Sequence, residues 1–197
     1  MIPRLILGSS SESRKVLLEK IGYKPDIIES PEVDETPLKG ELPYETALRL
    51  AIEKAKKIHQ KYFNDIVISA DTVCAIGRLQ LPKALIKDDV IFCLKKLSGR
   101  RHRTYTGVCG MHQNKVISKL GMTIIRFKVL STEDIDEFVA DEKQWYGKAG
   151  GFTLAGLASA FVTMIRGDEE GSVMGLPLYH TRNIIQTLSD RKIKRII

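Results

Sequence analysis

The sequence predicts an α/β protein with a mixed β-sheet and helices on its flanks. Apolar runs of strand length alternate with stretches of helical periodicity along most of the 197 residues, as in α/β folds. Residues 66–70 form an uninterrupted apolar segment, which is typical of a strand buried on both faces of a mostly parallel sheet. The strand-like segments 104–111 and 123–129 follow one another without a helix, so the sheet is expected to be mixed.

The N-terminal part predicts a strand, a loop and a helix, in that order. The strand covers residues 5–7, and apolar positions at helical spacing follow between residues 16 and 21. Gly22 is expected to close this helix. A second strand is predicted for residues 23–28, and a connection rich in proline and acidic residues then covers residues 30–43.

Residues 44–59 predict a long amphipathic helix. Its apolar positions recur at helical spacing and are Ala47, Leu50, Ala51, Ala55 and Ile58. Lys54 falls on the same side of this helix, so its ammonium either reaches out to solvent or faces an anionic partner. The helical pattern alone leaves both interpretations open.

The second half of the chain predicts a further series of elements. In chain order they are a helix over 88–97 ending at Ser98-Gly99, strands over 104–111 and 123–129, a helix with Ser131 as N-cap, a strand over 158–165 and a closing helix over 176–188. No internal repeat or low-complexity linker separates them. The length suits a single domain over 1–197, and two lobes around a central cleft are an open alternative within it.

Composition excludes several classes of protein. Apolar residues make up 43% and charged residues 28%, so neither a disordered nor a fibrous class is indicated. No stretch approaches the roughly 18 uninterrupted apolar residues of a membrane span, and the N-terminal apolar run is too short for a signal peptide. The default expectation is a cytoplasmic protein without membrane association. Three cysteines without a C-x-x-C spacing predict buried thiols rather than disulfides or a zinc site.

The net charge of +7 raises the question of nucleic-acid binding. Lysine and arginine are scattered apart from the tail 191–195, and no helix-turn-helix, zinc finger or RNP-like motif accompanies them. Stable nucleic-acid binding is therefore not expected. A polyphosphate ligand would suit the same charge, and the basic tail is interpreted as a solvated chain end.

Two predicted strand ends carry polar groups, and strand ends are where open α/β sheets bind ligands. The first is the serine loop, which comprises Ser9, Ser10 and Ser11 and precedes a helix. Its N–H groups and hydroxyls could hold phosphate at the positive helix end, with Arg14 one turn inside. Helix capping is the alternative role, and the segment does not match the P-loop pattern G-x-x-x-x-G-K-[ST].

The second strand end is Asp71-Thr72, predicted to follow the apolar segment 66–70. A carboxylate in this position needs a metal ion, a water or a donor as its partner, and a structural role competes with a catalytic one. The acidic loop around Glu35 could supply a second ligand for Mg²⁺ or Mn²⁺, with a solvated loop as the alternative. Lys83 could approach the same site, although exposed lysines are common.

Segments along nearly the entire chain resemble, in order, the Maf family, which is named for septum formation and known as nucleotide pyrophosphatases. The matching segments are LILGSSS (5–11) with Arg14, VDETP (33–37), RLAIEKA (49–55), ADTV (70–73), LSG (97–99), YTGV (105–108), KAG (148–150) and GLPL (175–178). The resemblance implies a Maf/Ham1-like (inosine triphosphatase-like) fold. It also implies hydrolysis of the α–β phosphoanhydride of a nucleoside triphosphate, giving a nucleoside monophosphate and pyrophosphate.

The resemblance also implies roles for individual residues. Asp71 would be the general base that takes a proton from the attacking water, and Glu35 together with Asp71 would hold the divalent metal cation. Phosphate contacts are implied for Ser9, Ser11, Arg14, Lys54 and Lys83. Lys54 and Lys83 would neutralise charge that develops on the phosphates in the transition state.

The chain departs from the family pattern at several positions. The family usually has Pro-Arg where this chain has Glu12-Ser13, Gly-Lys-Pro where it has residues 82–84, and a glutamine or glutamate at the position of Ala155. Positions 13, 72 and 155 separate family members for dTTP and UTP from those for 7-methyl-GTP. Thr72 fits the pyrimidine group, whereas Ser13 and Ala155 fit neither, so the resemblance implies a pyrimidine (dTTP/UTP) or modified nucleotide as substrate.

Two other functional hypotheses remain open from the sequence. Ser13, Ala84 and Ala155 motivate a nucleotide-binding regulator of septum formation or cell division with weak or no turnover. The charge of +7 motivates a nucleic-acid binder, which ranks last. The sequence leaves the oligomeric state open, with a homodimer as one option.

Overall fold

The computed structural model of the protein describes residues 2–167 and 169–189. The strands are β1 (Leu5–Leu7), β2 (Ile27–Ile28), β3 (Ile66–Ile76), β4 (Leu79–Leu81), β5 (Arg101–His112), β6 (Lys115–Phe127) and β7 (Val162–Gly167). The helices are α1 (Glu12–Lys20), α2 (Pro43–His59), α3 (Lys87–Leu97), α4 (Thr132–Ala140), α5 (Glu170–Met174) and α6 (Leu178–Leu188), with short 3₁₀ helices over Glu142–Gln144 and Leu157–Phe161. The basic tail 191–195 lies outside the described residues.

The strands of the described residues form one mixed sheet, which confirms the predicted fold class. Their order is β2-β1-β3-β5-β6-β7, and β4 lies beside β3. β1 runs parallel to β2 and β3, while the pairs β3–β4, β3–β5, β5–β6 and β6–β7 are antiparallel. The expectation of a mostly parallel sheet is therefore wrong, because β3 has a long antiparallel neighbour in β5.

Strand β3 continues past Asp71, so the prediction that Asp71 ends this strand is also wrong. The apolar residues after it extend the strand, and backbone ladder bonds do not depend on one side chain. β1 pairs with residues 66–68 and β4 with residues 74–76, whereas β5 pairs along both parts. On the β1 side, residues 69–73 have no strand partner within the described chain. We call residues 69–73 the sheet gap, and Asp71 lies at its centre.

The strand predicted over 23–28 is shorter than expected. Only Ile27–Ile28 pairs with β1, because Pro25 has no amide hydrogen to donate to a sheet. Tyr23 packs into the core instead, with 2% of its surface exposed.

The strand predicted over 158–165 begins later than expected. Residues Leu157–Phe161 form a 3₁₀ helix before β7, and the Ser159 hydroxyl donates to the Gly156 carbonyl, a local bond that favours a turn over a strand. The closing helix likewise starts at Leu178 rather than at residue 176, and α5 precedes it.

The other helix predictions are confirmed within one or two residues. α2 covers the stretch predicted over 44–59, α3 covers that over 88–97, and the Ser131 side chain caps α4 by accepting a hydrogen bond from the Asp134 amide at 3.1 Å. All three cysteines are buried and free, as predicted. None of the helices in the described residues is long and apolar enough to cross a membrane.

Helix α2 packs directly on β3 and β5 and so positions residues of the candidate active site. A methyl group at Gly107 of β5 would lie 2.4 Å from the Ala47 carbonyl oxygen, so only glycine permits this approach. The buried face of α2 includes Lys54, which is 6% exposed. The alternative in which Lys54 reaches out to solvent therefore does not hold, and its ammonium needs an anionic partner.

Candidate active site

The serine loop lies between the end of β1 and the start of α1. Ser9 Oγ accepts hydrogen bonds from the Ser11 amide at 3.2 Å and from Arg14 Nη1 at 3.0 Å. Ser11 precedes the first helical residue, yet its hydroxyl makes no capping bond. Capping therefore does not explain the Ser11 hydroxyl, and the first N–H groups of α1 lack a side-chain cap.

Arg14 links the start of α1 to two other segments. Its Nε donates to the Gly175 carbonyl at 2.8 Å, and its Nη2 donates to Thr72 Oγ1 at 3.4 Å. Gly175 has a φ of 103°, a left-handed conformation that ends α5 and presents this carbonyl. Burial lowers the pKa of Arg14 below its usual value, against the attraction of Asp71 and Glu35.

Two acids and two lysines meet beside the sheet gap, and we call Glu35, Lys54, Asp71 and Lys83 the charged quartet. Lys54 Nζ donates to Asp71 Oδ1 and to Glu35 Oε1, each at 2.5 Å, and Lys83 Nζ donates to Glu35 Oε2. Asp71 is 1% exposed, so Lys54 supplies the neutralising partner that a buried carboxylate requires. Burial opposes ionisation of Glu35, but the two lysine hydrogen bonds outweigh it and lower its pKa.

Arg49 anchors the loop that carries Glu35. Its Nη2 donates to the Thr36 carbonyl at 3.1 Å, and its Nε donates to Glu41 Oε1 at 2.6 Å. The hydrogen bond from Arg49 lowers the pKa of Glu41 to about 2. Sequence reasoning assigned Arg49 no role, although it stands five residues before Lys54 in the same matched segment.

The charged quartet separates two connected cavities. The first, which we call the cleft, has a volume of about 420 Å³, and its lining includes Ser9, Ser11, Ser13, Arg14, Lys54 and Thr104. The second, the side cavity, has a volume of about 460 Å³, and its lining includes Thr46, Leu50, Asp71 and Gln80. Both are lined by Glu35, Thr72, Lys83 and Ala149. Asp71 thus faces the side cavity, behind the Glu35–Lys83 ion pair.

A row of hydroxyls runs from the cleft to the backbone of α5, and we call Thr72, Thr106 and the Ser172 carbonyl the hydroxyl chain. Thr72 Oγ1 lies 3.0 Å from Thr106 Oγ1, which donates to the Ser172 carbonyl at 2.6 Å. Thr106 is fully buried and directly opposite Thr72 in the ladder of β3 and β5. Sequence reasoning assigned Thr106 no role, although it stands in the matched segment YTGV (105–108).

The structure brings together two of the three positions expected to read the base. Ser13 and Thr72 line the cleft, whereas Ala155 is exposed and is not among the cleft residues. The Ala155 amide instead donates to Thr153 Oγ1 at 3.3 Å. Ser9, Ser11, Arg14, Lys54 and Lys83 all reach the cleft as predicted, although their roles stay predictions.

The acids fit a metal ion that is bound together with a phosphate. The described residues contain no group of three or more His, Cys, Asp or Glu side chains able to hold an ion by themselves. Glu35 and Asp71, however, direct oxygens to one shared point, where Lys54 Nζ now lies. Mg²⁺ commonly uses one or two carboxylates and takes its other ligands from substrate phosphates and water, so this pair suffices.

Known proteins match the chain over almost its whole length. A protein of Caulobacter vibrioides named dTTP/UTP pyrophosphatase is 45% identical over 190 residues, covering 96% of this chain and 97% of the relative. A nucleoside triphosphate pyrophosphatase of Neorickettsia sennetsu is 44% identical over 189 residues, covering 95% and 90%. The Ham1 protein of Staphylococcus aureus covers 94% of this chain at 16% identity, with a TM-score of 0.48.

The family of Maf-like proteins matches residues 4–188, a range that contains the serine loop, the charged quartet and the hydroxyl chain. Identity of this level over nearly full length in both directions is not found between unrelated chains. The chain therefore belongs to the Maf-like protein family.

Proposed function

We propose that the protein is a nucleoside triphosphate pyrophosphatase, a hydrolase that cleaves the α–β phosphoanhydride. The charged quartet carries this proposal, because it places a buried carboxylate and two lysines at a cleft beside an uncapped helix start. A helix N-terminus and lysines together suit a polyphosphate. The names of the Caulobacter and Neorickettsia relatives support the same activity.

The side chains account for a balanced hydrolysis. Asp71 takes a proton from a water in the side cavity, the water oxygen forms a bond to the α phosphorus, and the bond from that phosphorus to the bridging oxygen breaks. Pyrophosphate leaves with the electron pair of the broken bond, and Asp71 returns its proton to solvent. Lys54 and Lys83 stabilise the negative charge that builds on the leaving phosphates. Arg14 and the serine loop hold the triphosphate in line.

We propose Glu35 and Asp71 as the ligands of a divalent cation, Mg²⁺ or Mn²⁺, because both ions prefer carboxylate and phosphate oxygens. When bound, the ion would neutralise phosphate charge. Lys54 lies between the two acids and would then turn its ammonium toward the phosphates.

The proposed substrate is a pyrimidine nucleotide, dTTP or UTP. Thr72 at the cleft and the names of the Caulobacter and Zymomonas mobilis relatives, both dTTP/UTP pyrophosphatases, support this choice. Ser13 and Ala155 are both short side chains, and Ala155 lies outside the cleft, so base contacts must come from other residues.

The test is a panel of normal and modified nucleoside triphosphates with Mg²⁺ or Mn²⁺, read by release of pyrophosphate and of orthophosphate. Pyrophosphate with equimolar nucleoside monophosphate is the expected result. Orthophosphate alone would contradict cleavage at the α–β bond. Nucleotide binding without any hydrolysis would support the alternative of a regulator of cell division, which the departures at residues 13, 84 and 155 motivate.

We further propose one Maf-like domain over 1–197 in the cytoplasm. The core residues form three clusters, one around α3 and α4, one around α1 and α6, and one against α2, and the first two support two lobes within the domain. Three buried, free thiols are typical of a reducing compartment.

A further inference from the structure

Four arginines that stand apart in the sequence share one face of the sheet. Arg101 and Arg103 lie on β5, Arg126 lies on β6 and Arg166 lies on β7. Arg101 pairs directly with Arg126, while Arg103 and Arg166 both pair with Ile124, so all four side chains point to the same side of the sheet. We call these four residues the arginine face. Their grouping is invisible in the sequence because it depends on the register of three strands.

The arginine face has no acidic neighbour within its own strands. β5, β6 and β7 contain no Asp or Glu, and none of the four arginines forms an ion pair with a described residue. All four side chains are exposed. Like charges directly opposite each other destabilise a sheet, so the pair of Arg101 and Arg126 lowers stability unless an anion lies over it.

The arginine face lies on the same side of the sheet as α2, beyond the N-terminus of that helix. Tyr105 follows Arg103 on this side of β5, and its ring lies 6.2 Å from the ring of Tyr44 in the first turn of α2. Thr104, which lines the cleft, points to the opposite side of β5. None of the four arginines lines the cleft or the side cavity, so the arginine face is a separate surface.

The spacing of the arginines suits several linked phosphates rather than one. Arg101 and Arg103 are two residues apart on one strand, about 7 Å, and Arg103 and Arg166 are two strands apart, about 10 Å. A cavity of about 270 Å³ has Arg101, Arg103 and Ile124 in its lining. A guanidinium binds phosphate oxygens through two parallel hydrogen bonds. A chain of phosphates can therefore contact all four arginines, whereas a single phosphate reaches only part of the face.

Two tyrosines beside the arginine face favour nucleic acid over other polyanions. Tyr44 is 40% exposed and Tyr105 is half-buried. Proteins that bind single strands combine a positively charged surface along the backbone with aromatic rings on which bases stack. A duplex is read mainly by a helix or ribbon that enters a groove, which the broad face of a sheet does not do. A membrane surface favours protruding apolar side chains, but Ile124 and Met164 on this face are half-buried.

We infer that the arginine face binds single-stranded nucleic acid: its four guanidinium groups bind phosphates of the backbone, and Tyr44 and Tyr105 stack with bases. This inference goes beyond the proposed function and does not rest on it, since the arginine face and the cleft lie on opposite sides of the sheet. No covalent bond forms or breaks at this surface.

The experiment measures binding of a fluorescent uridine strand of about 20 nucleotides by anisotropy, from about 50 to 200 mM salt. The slope of log K against log salt is expected to be at least about 2.8 in magnitude for the wild type, from four phosphate contacts at about 0.7 each. Arg101→Gln combined with Arg126→Gln removes two contacts, so the magnitude should fall by about 1.4. Tyr44→Leu should weaken binding about fivefold or more without changing the slope, because it removes stacking but no charge.

Matched variants separate this surface from general charge effects. Lys24→Gln combined with Lys119→Gln makes the same change in net charge at two exposed lysines outside the arginine face, and should keep the wild-type slope. Tyr179→Leu removes an exposed tyrosine of α6 and should keep the wild-type affinity. The basic tail 191–195 is present in every variant, so its contribution cancels in each comparison. Arg103→Gln, with an expected change in slope of about 0.7, replaces the double arginine variant if that variant does not fold.

Three results would overturn the inference. The first is an equal slope in the wild type and in the arginine variants. The second is an affinity for inorganic polyphosphate as high as that for the uridine strand, or an unchanged affinity in Tyr44→Leu, since either result would exclude stacking with bases. The third is binding of phosphatidylglycerol vesicles through the same arginines without binding of the strand.

Pyrophosphate release from nucleoside triphosphates, measured on the same proteins, keeps this inference distinct from the proposed function. The arginine variants should release pyrophosphate at the wild-type rate, because the arginine face is separate from the cleft. Strand binding that depends on the arginines, without pyrophosphate release by any of the proteins, would support the inference and contradict the proposed hydrolysis. Pyrophosphate release without strand binding at about 50 mM salt would overturn the inference alone.

Discussion

Two regions of the molecule bury polar groups in opposite ways. At the charged quartet, the buried groups are of opposite charge: the Lys54 ammonium donates to the Asp71 carboxylate at 2.5 Å, and each is the counter-charge of the other. Along β5 the buried polar groups are neutral: Thr106 is a hydroxyl, and burial lowers the pKa of His102 to about 4. Opposite charges therefore meet where phosphate is expected, whereas these two buried residues of β5 are neutral at pH 7.

The largest expected effect is on the free energy of unfolding, and it tests the two lysines of the charged quartet. Lys54→Met should lower the free energy of unfolding by about 3–5 kcal/mol, because Asp71 would remain buried without its partner. Lys83→Met is the matched control, since its side chain is 40% exposed and its ion-pair partner among the described residues is Glu35 alone, and it should cost about 1 kcal/mol or less. Urea unfolding measures both. Similar losses for the two variants would contradict the assignment of Lys54 as the buried counter-charge.

The next effect concerns rate rather than stability. Asp71→Asn should lower kcat at least about a hundredfold, or about 2.7 kcal/mol in barrier, because an amide cannot accept the proton of the water. Asp65→Asn is the control, as Asp65 lies immediately before the same strand and pairs with Arg4 away from the cleft. A near-normal kcat for folded Asp71→Asn would remove Asp71 from the role of general base.

Removing Arg49 should loosen the loop that carries Glu35. Arg49→Met is expected to cost about 2 kcal/mol at neutral pH, through lost charged hydrogen bonds to Glu41 and the Thr36 carbonyl. The pKa of Glu41 falls from 4.5 to about 2 in the fold, so its stabilisation is present above pH 4.5 and is lost progressively as the pH falls toward 2.

The stability difference between wild type and Arg49→Met should therefore shrink between pH 5 and the acid limit of folding. Unfolding experiments across this range check the sign, with Arg78→Met in the exposed turn between β3 and β4 as a control. A difference that stays constant with pH would show that Glu41 does not carry the stabilisation.

The last prediction tests the neutral region of β5. His102 packs edge-on against Phe127 and Phe152, and its pKa of about 4 lies below the usual 6.5. The unfolded chain binds a proton first as the pH falls, so the protein loses stability between pH 6.5 and 4. His102→Phe should flatten this part of the stability profile by about 1.4 kcal/mol for each unit of pKa difference. Unfolding at pH 7 and pH 5 measures it, and an equal slope in both proteins would show that folding does not lower the pKa of His102.

Local patterns predicted the helices well, because their signals lie within a few residues of sequence. The amphipathic spacing of α2 and the cap at Ser131 are such signals. The course of β3 was missed because Asp71 interrupts an apolar run, and only pairing with β5, more than 30 residues away, shows that the strand continues. Pairing partners of this kind leave no local mark.

The residues of the candidate site likewise divide into those that the sequence predicted and those that only distant contacts reveal. The family resemblance named the members of the charged quartet, and the structure brings their side chains together. It included Thr106 and Arg49 in matched segments but gave them no role, since their importance lies in hydrogen bonds to backbone carbonyls of distant segments. Ala155 shows the reverse case, a position expected at the site that the fold places outside the cleft lining.

Hydrogen exchange should distinguish the sheet gap from the remainder of β3. Residues 67–68 and 74–75 have strand neighbours on both sides, whereas in the described chain residues 69–73 are paired only to β5. Amides that point to β5 exchange only when the sheet opens, but those that point into the gap exchange through small local fluctuations. The central strand would thus contain a short run in which protection alternates from one residue to the next. A nucleotide held in the cleft would slow the fast members of that run and even out the alternation.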